Sequence, residues 1–122
     1  MKLHFWTLTS VLSVLTILFL SFYPFAISEE KSFFEHQDKL AHFLLYSFLT
    51  FALIKSFRKE INFRQPIFFA SVISFLLGTL IEILQPVLTD YRQGSLSDVI
   101  FNSSGILFTL FLFTFRKNNF WK

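Results

Sequence analysis

The sequence predicts an all-α membrane protein with four transmembrane helices, and its composition and four long apolar runs carry that prediction. Of the 122 residues, 53% are hydrophobic and 20% aromatic, with twenty Phe and only three Gly. A soluble domain of this size has too much surface for its volume to bury so many apolar side chains, whereas a bilayer accommodates them. The runs lack the period-two alternation of half-buried strands, which argues against a sheet.

Each apolar run is close to the ~20 residues that a helix needs to cross the hydrocarbon core of a bilayer. Unpaired backbone groups are too costly in lipid, so the runs are expected to be helical. The first run has the basic start of a secretory signal, but it is longer than the ~7–15 residues of a signal core, which favours a retained helix. We expect one domain over residues 1–122, with helices at about 5–27, 40–57, 67–85 and 96–115.

Two prolines bracket the third run. Pro66 suits the first turn of a helix, where its missing N–H is no loss. Pro86 is expected to end the same helix, because its ring cannot continue the hydrogen-bond ladder.

The distribution of Lys and Arg predicts the topology. Eight of the eleven basic residues fall at the amino-terminal tip, in the second connection or in the tail: Lys2, Lys55, Arg58, Lys59, Arg64, Arg116, Lys117 and Lys122. The other connections hold Lys31, Lys39 and Arg92. The positive-inside rule therefore places both termini in the cytoplasm of a multi-pass protein of the cell membrane.

Composition also excludes several classes of function. The chain has no Cys, so it has no disulfide, thiolate metal site or cysteine nucleophile. Its formal net charge of +3 comes from short clusters between apolar runs and not from one basic face, which argues against a nucleic-acid partner. The expected partner is the lipid bilayer, and the sequence predicts no cofactor and no particular oligomeric state.

The polar residues of the apolar runs converge at one depth. In the predicted topology the start of helix two, the end of helix three, the third connection and the start of helix four meet at the outer surface. Residues three or four apart share a helix face, which gives an inward-facing set on each helix. The candidate binding residues are Asp38, Lys39, His42, Glu82, Gln85, Arg92, Asp98 and Asn102. An ionisable residue within a membrane helix is a functional hypothesis by default, and Glu82 fits that description best.

Simpler structural interpretations exist for several of these residues. Asp98 could complete a capping box with Ser95, and Asp38 could cap helix two. Lys39 could reach the headgroup region, while Gln85 and Asn102 could form hydrogen bonds between helices.

The ordered motifs DKLAHF (residues 38–43), GTLIEILQ (78–85) and R-x-x-S-x-x-D-x-x-x-N-x-x-G (92–105) resemble the VanZ-like family of small bacterial membrane proteins. The resemblance implies a compact helical membrane protein. It also implies an association, in some members, with resistance to glycopeptide antibiotics, especially teicoplanin. It does not imply an established biochemical activity.

Three functions remain open from the sequence. The first is binding of an envelope lipid, a cell-wall precursor or a lipoglycopeptide in an outward-facing polar pocket. The second is an intramembrane enzyme acting on a lipid-linked envelope substrate. In it His42, Glu82 and Asp98 would be the acid and base groups, or the ligands of a metal ion whose identity the sequence leaves unknown. The third is a transporter or proton relay, for which four short helices leave little room.

Overall fold

The computed structural model describes residues 4–22, 37–88 and 96–119, with side chains described for 4–22, 40–88 and 96–115. It confirms the all-α fold. The helices are α1 (Phe5–Phe22), α2 (Gln37–Lys55), a π-helical turn (Ser56–Glu60), α3 (Pro66–Leu88) and α4 (Leu96–Asn119).

Four helices in the described ranges are long and apolar enough to cross a membrane. Their hydrogen bonds show that consecutive helices run in opposite directions: the start of α1 lies at Glu60, after α2, and its end lies at Gln85, in α3. One end of the bundle, here called the polar end, carries His42, Glu82 and Asp98. The other, the basic end, carries Lys55, Arg58, Lys59 and Arg64. Helix α1 therefore begins, and α4 ends, at the basic end.

Helix α2 is the centre of the bundle, because its contacts with the other three helices are the most extensive. Its side chains Leu49, Ala52 and Ile54 are fully buried. The hydrophobic core is completed by one or two residues from each neighbour, which are Ile17, Ala70, Ile81, Ile106 and Phe113. Most of the remaining Phe and Leu side chains point outward, as expected of helices that face lipid.

Helix α1 turns its small residues inward. Ser10, Ser13, Ile17 and Ser21 are its buried residues, and they recur every three or four positions along one face. The large side chains of α1, including Leu12 and Phe19, are exposed. Small residues allow helix backbones to approach closely in membranes, where van der Waals packing replaces the hydrophobic effect as the main force between helices.

The closest approach is between the parallel helices α2 and α4. A Cβ atom on Gly105 would overlap the backbone of Phe43 and come within 3.1 Å of the Ser47 nitrogen. Hydrogen bonds join the two helices at the same level: Ser47 Oγ donates to the Gly105 carbonyl at 3.1 Å, and Thr109 Oγ1 donates to the Ser47 carbonyl at 2.8 Å. Gly105 thus sets the distance between α2 and α4.

The basic end is closed by the π-helical turn after α2. Asn62, with a φ of 65°, takes the left-handed conformation that terminates it, and Asn tolerates that conformation well. The turn directs the Glu60 carboxylate to the first turn of α1, where it accepts hydrogen bonds from the backbone N–H groups of Trp6 at 2.6 Å and Thr7 at 2.7 Å. Glu60 therefore caps α1, and an anion there also complements the helix dipole.

The observed limits differ from the predicted ones at the end of α3 and at the start of α2. Pro66 is the first residue of α3, as expected, but Pro86 does not end that helix, which continues to Leu88. A proline in the last turn removes only the hydrogen bond from position 86 to the carbonyl of position 82, so one more half-turn can follow. Helix α2 begins at Gln37, so Asp38 belongs to its first turn and is not its N-cap. Residues 23–27 of the predicted first helix lie outside the described residues.

We expect Gly105→Ala to lower the free energy of unfolding by about 1–3 kcal/mol, because the new methyl group must push the α2 backbone away. The neighbouring Ser104→Ala is the control, since the Ser104 hydroxyl bonds only within its own helix, to the Ile100 carbonyl. The measurement is the unfolding midpoint in a fixed detergent. Equal midpoints for the two variants would contradict the close contact.

Candidate functional site

Three titratable side chains meet at the polar end of the bundle, each from a different helix. One ligand atom from each of His42 (α2), Glu82 (α3) and Asp98 (α4) lies within 4.8 Å of the other two. Glu82 is 5% exposed and Asp98 6% exposed. Glu82 follows His42 by 40 positions in the sequence, and Asp98 follows Glu82 by 16. Helix packing alone therefore brings the three residues together.

His42 is held in place by Asn102. The His42 Nδ1 and the Asn102 Oδ1 are 2.8 Å apart, and Asn102 is 2% exposed. An amide oxygen can only accept, so this hydrogen bond places a proton on Nδ1. Asn102 thus orients the imidazole, beyond the simple joining of two helices. His42, Glu82, Asp98 and Asn102 are called the polar cluster below.

The stripe of Ser74, Gly78 and Glu82 on α3 is buried throughout. A Cβ atom on Gly78 would lie 2.9 Å from the Asn102 Nδ2 and 3.1 Å from the Tyr46 ring. The missing side chain at Gly78 therefore makes the space that Asn102 and Tyr46 occupy beside Glu82.

Tyr46 is a member of this site that the sequence interpretation missed. It is 2% exposed, and its ring packs against Gly78, one helical turn from Glu82. Its position four residues after His42, on the same face of α2, was the signal that could have revealed it. A tyrosine in an apolar run is easily taken for part of the aromatic belt, which is why spacing alone did not single it out.

Gln85 has a structural contact of its own. Its Nε2 donates to the Ser21 carbonyl of α1 at 3.0 Å, so it joins α3 to the end of α1. This is the hydrogen bond between helices that the simpler interpretation expected.

Asp98 lies in the first turn of α4. A carboxylate there is favoured by the positive end of the helix dipole, as the capping interpretation requires. Ser95, its proposed partner in the capping box, lies outside the described residues. Capping a helix does not require the carboxylate to be buried. Capping therefore does not explain why Asp98 is buried beside His42 and Glu82.

Three predicted binding residues cannot be placed relative to the cluster. Arg92 lies outside the described residues, and so do the side chains of Asp38 and Lys39, although both belong to α2. Among the described side chains, every Lys and Arg lies at the basic end.

Buried polar atoms also remain available for a ligand. Within the described part of the chain, the buried Thr79 Oγ1 and Asn102 Nδ2 make no hydrogen bond. Such atoms are rare in folded proteins, because losing water without a new partner costs about 1–3 kcal/mol. Asn102 belongs to the polar cluster, so its Nδ2 can donate a hydrogen bond to an acceptor that enters the site, and Thr79 lies three residues before Glu82 on α3.

A model of the VanZ/LLP1 family matches residues 3–117, almost the whole chain. The chain belongs to the VanZ/LLP1 family. The match confirms the resemblance that the three ordered motifs indicated, and together with the four helices it shows a multi-pass membrane protein. No curated protein and no solved structure matches this chain.

A large groove of this VanZ/LLP1 protein lies elsewhere. It has a volume of about 1090 Å³, runs between α3 and α4 towards the basic end, and is lined mainly by apolar residues such as Phe68, Phe75 and Leu107. It shares no residue with the polar cluster. Outward-facing apolar side chains in a membrane helix bundle produce such grooves wherever lipid would fill them, so size alone does not identify the site. We place the candidate site at the polar cluster because the titratable groups are there.

We expect the His42→Ala and Asn102→Ala changes to be non-additive, with a coupling of about 0.6–1.7 kcal/mol, the range measured for hydrogen bonds between membrane helices. A double-mutant cycle on unfolding free energies in detergent measures the coupling. The pair His42→Ala and Ser74→Ala is the control and should be additive, since these residues share no contact. Additivity in both cycles would contradict the His42–Asn102 hydrogen bond.

Proposed function

We propose that this VanZ/LLP1 protein binds the polar headgroup of an envelope component at the outer surface of the cell membrane, using the polar cluster. The envelope component is a lipid, a lipid-linked cell-wall precursor or a lipoglycopeptide. The single observation that carries the proposal is the burial of Glu82 and Asp98 beside His42 at one end of an apolar bundle. Buried ionisable groups are costly in a membrane protein, and they are retained mainly where they serve a function.

The chemistry of the cluster suits a headgroup that carries hydroxyl or amine groups. The Glu82 and Asp98 carboxylates accept hydrogen bonds from such groups, and Asn102 Nδ2 and Thr79 Oγ1 can donate to a carbonyl or phosphoryl oxygen. Arg92 and Lys39 are proposed to contact the anionic part of the ligand, for which the guanidinium fork of Arg92 is well suited.

The apolar part of the ligand would lie against the aromatic surface beside the cluster. Phe43 follows His42 in α2, and its ring centroid is 5.5 Å from that of Phe108 in α4. Phe101 and Phe108 are exposed on the same helix as Asp98 and Asn102. An acyl chain could pack on these rings while its headgroup reaches the cluster. Binding of a lipoglycopeptide in this way would also account for a role in teicoplanin-type resistance.

A second candidate function is an intramembrane enzyme that acts on a lipid-linked envelope substrate. The specific observation in its favour is that Asn102 orients the His42 imidazole in a cluster with two carboxylates. A histidine held in one orientation beside a carboxylate is a suitable general base, and the second carboxylate could act as the acid. Release of a headgroup from a labelled envelope lipid, absent in His42→Gln, would distinguish catalysis from binding.

The binding proposal predicts that Arg92→Ala weakens retention of the ligand. Native mass spectrometry of the detergent-purified protein, incubated in turn with an anionic envelope lipid and with teicoplanin, measures the bound fraction. Arg64→Ala is the matched control, because it removes the same charge at the basic end. Equal binding by wild type, Arg92→Ala and Arg64→Ala for both ligands would contradict the proposal.

Glu82→Gln is expected to leave the unfolding midpoint unchanged or to raise it. The substitution keeps the shape of the side chain and removes its charge, and a carboxylate held for function gives no benefit to folding. Detergent and pH are held fixed in the comparison with wild type, and both proteins are kept in metal-free buffer. A large fall, corresponding to the ~3–5 kcal/mol of a broken buried ion pair, would instead make Glu82 a structural residue.

A further inference from the structure

We propose that His42, Glu82 and Asp98 together bind one divalent metal ion. The inference rests on the site of the proposed function and gives that site an inorganic partner. The ion would be of the class that accepts one imidazole and two carboxylates, such as Zn²⁺ or Mn²⁺.

The geometry of the three side chains is close to that of a metal site. Their ligand atoms lie within 4.8 Å of one another. Ligand atoms that share one tetrahedral Zn²⁺, each about 2.0–2.2 Å from it, lie about 3.3–3.6 Å apart. The proposal therefore requires side-chain rotations that bring the ligand atoms closer by up to about 1.5 Å.

Asn102 supplies the support that a metal-binding histidine requires. Such a histidine almost always donates its second ring N–H to an oxygen acceptor, which fixes the tautomer and aims the other nitrogen at the metal. The His42 Nδ1 lies 2.8 Å from the Asn102 Oδ1, so Nε2 is the nitrogen that we assign to the ion. Asn102 is accordingly a positioning residue and not a ligand.

Burial and charge also favour a cation. Glu82 and Asp98 are buried side by side at the end of an apolar bundle, where two ionised carboxylates repel each other. A divalent ion between them offsets both charges. Because each ligand comes from a different helix, the ion would also join α2, α3 and α4 at the polar end.

Three protein ligands leave open positions on the ion. A metal site of that kind can bind a phosphate, hydroxyl or carbonyl oxygen directly. If the ion is present, the headgroup bound in the proposed function is therefore rich in oxygen, such as a phosphate or pyrophosphate ester.

The competing explanation is charge compensation by Lys39 or Arg92, and the experiment separates the two. The protein is purified in metal-free detergent buffer, loaded with Zn²⁺ or Mn²⁺, desalted, and assayed for metal by mass spectrometry. Wild type is expected to retain one ion per chain, and Glu82→Gln and Asp98→Asn to lose it. Asn102→Ala should keep the stoichiometry while its affinity falls about 10–100-fold.

Ser74→Ala is the matched control for loss of a buried hydrogen bond on the same α3 stripe, and it should bind metal like wild type. Monodispersity on size exclusion verifies that each variant is folded. If a variant is not folded, the second readout is the unfolding midpoint with and without Zn²⁺. Zn²⁺ should raise the midpoint of wild type and leave that of Asp98→Asn unchanged. Metal retained by the Glu82→Gln/Asp98→Asn double variant would place the ion elsewhere and overturn the inference.

Two further outcomes separate this inference from the proposed function. In the first, wild type retains no metal and Arg92→Gln has a much lower unfolding midpoint than wild type. That result would show that an ion pair takes the place of the metal, and it would overturn the inference. If that metal-free protein still binds the lipid or teicoplanin, the proposed function stands without the ion. Metal binding that depends on Glu82 and Asp98, with no binding of either ligand, would support the ion and contradict the proposed function.

Discussion

The close contact of α2 with α4 at Gly105 is the constraint on which the rest of the bundle depends. The backbones are near enough there for Ser47 and Thr109 to bond across the interface. One helical turn towards the polar end, the same spacing lets His42 reach Asn102. Helix α3 then packs on this pair through Gly78, which adds Glu82 to the cluster. The site is thus a consequence of two glycines as much as of its polar residues.

The bundle distributes its side chains in the opposite way to a soluble protein. Most of its Phe and Leu side chains face outward, and serines line the inward face of α1. Since lipid is as apolar as Leu, burying Leu gains little, and close packing with hydrogen bonds holds the helices together. Glu60 is the only acid among the described residues of the basic end, and its carboxylate satisfies backbone donors at the start of α1.

The sequence could predict the helices and much of the site. Apolar length gave the four spans, and spacing indicated that His42, Glu82, Asp98 and Asn102 face inward at a common depth. Tyr46 was missed because a buried tyrosine and one at the membrane interface look the same in sequence. Pro86 was misjudged because a proline near a helix end removes only one hydrogen bond, and the packing of α3 decides whether the helix stops there.

By itself, the sequence determined the class of fold, the number of spans and the set of polar residues, because these follow from the cost of exposing backbone and charge to lipid. Only the tertiary structure decided which of those residues meet. It joined Gln85 to Ser21 and Asn102 to His42, and it placed the carboxylates of Glu82 and Asp98 together. The physical reason is that periodicity fixes the face of each helix, whereas the rotation and separation of neighbouring helices depend on contacts, such as that of Gly105 with Phe43, between residues far apart in the chain.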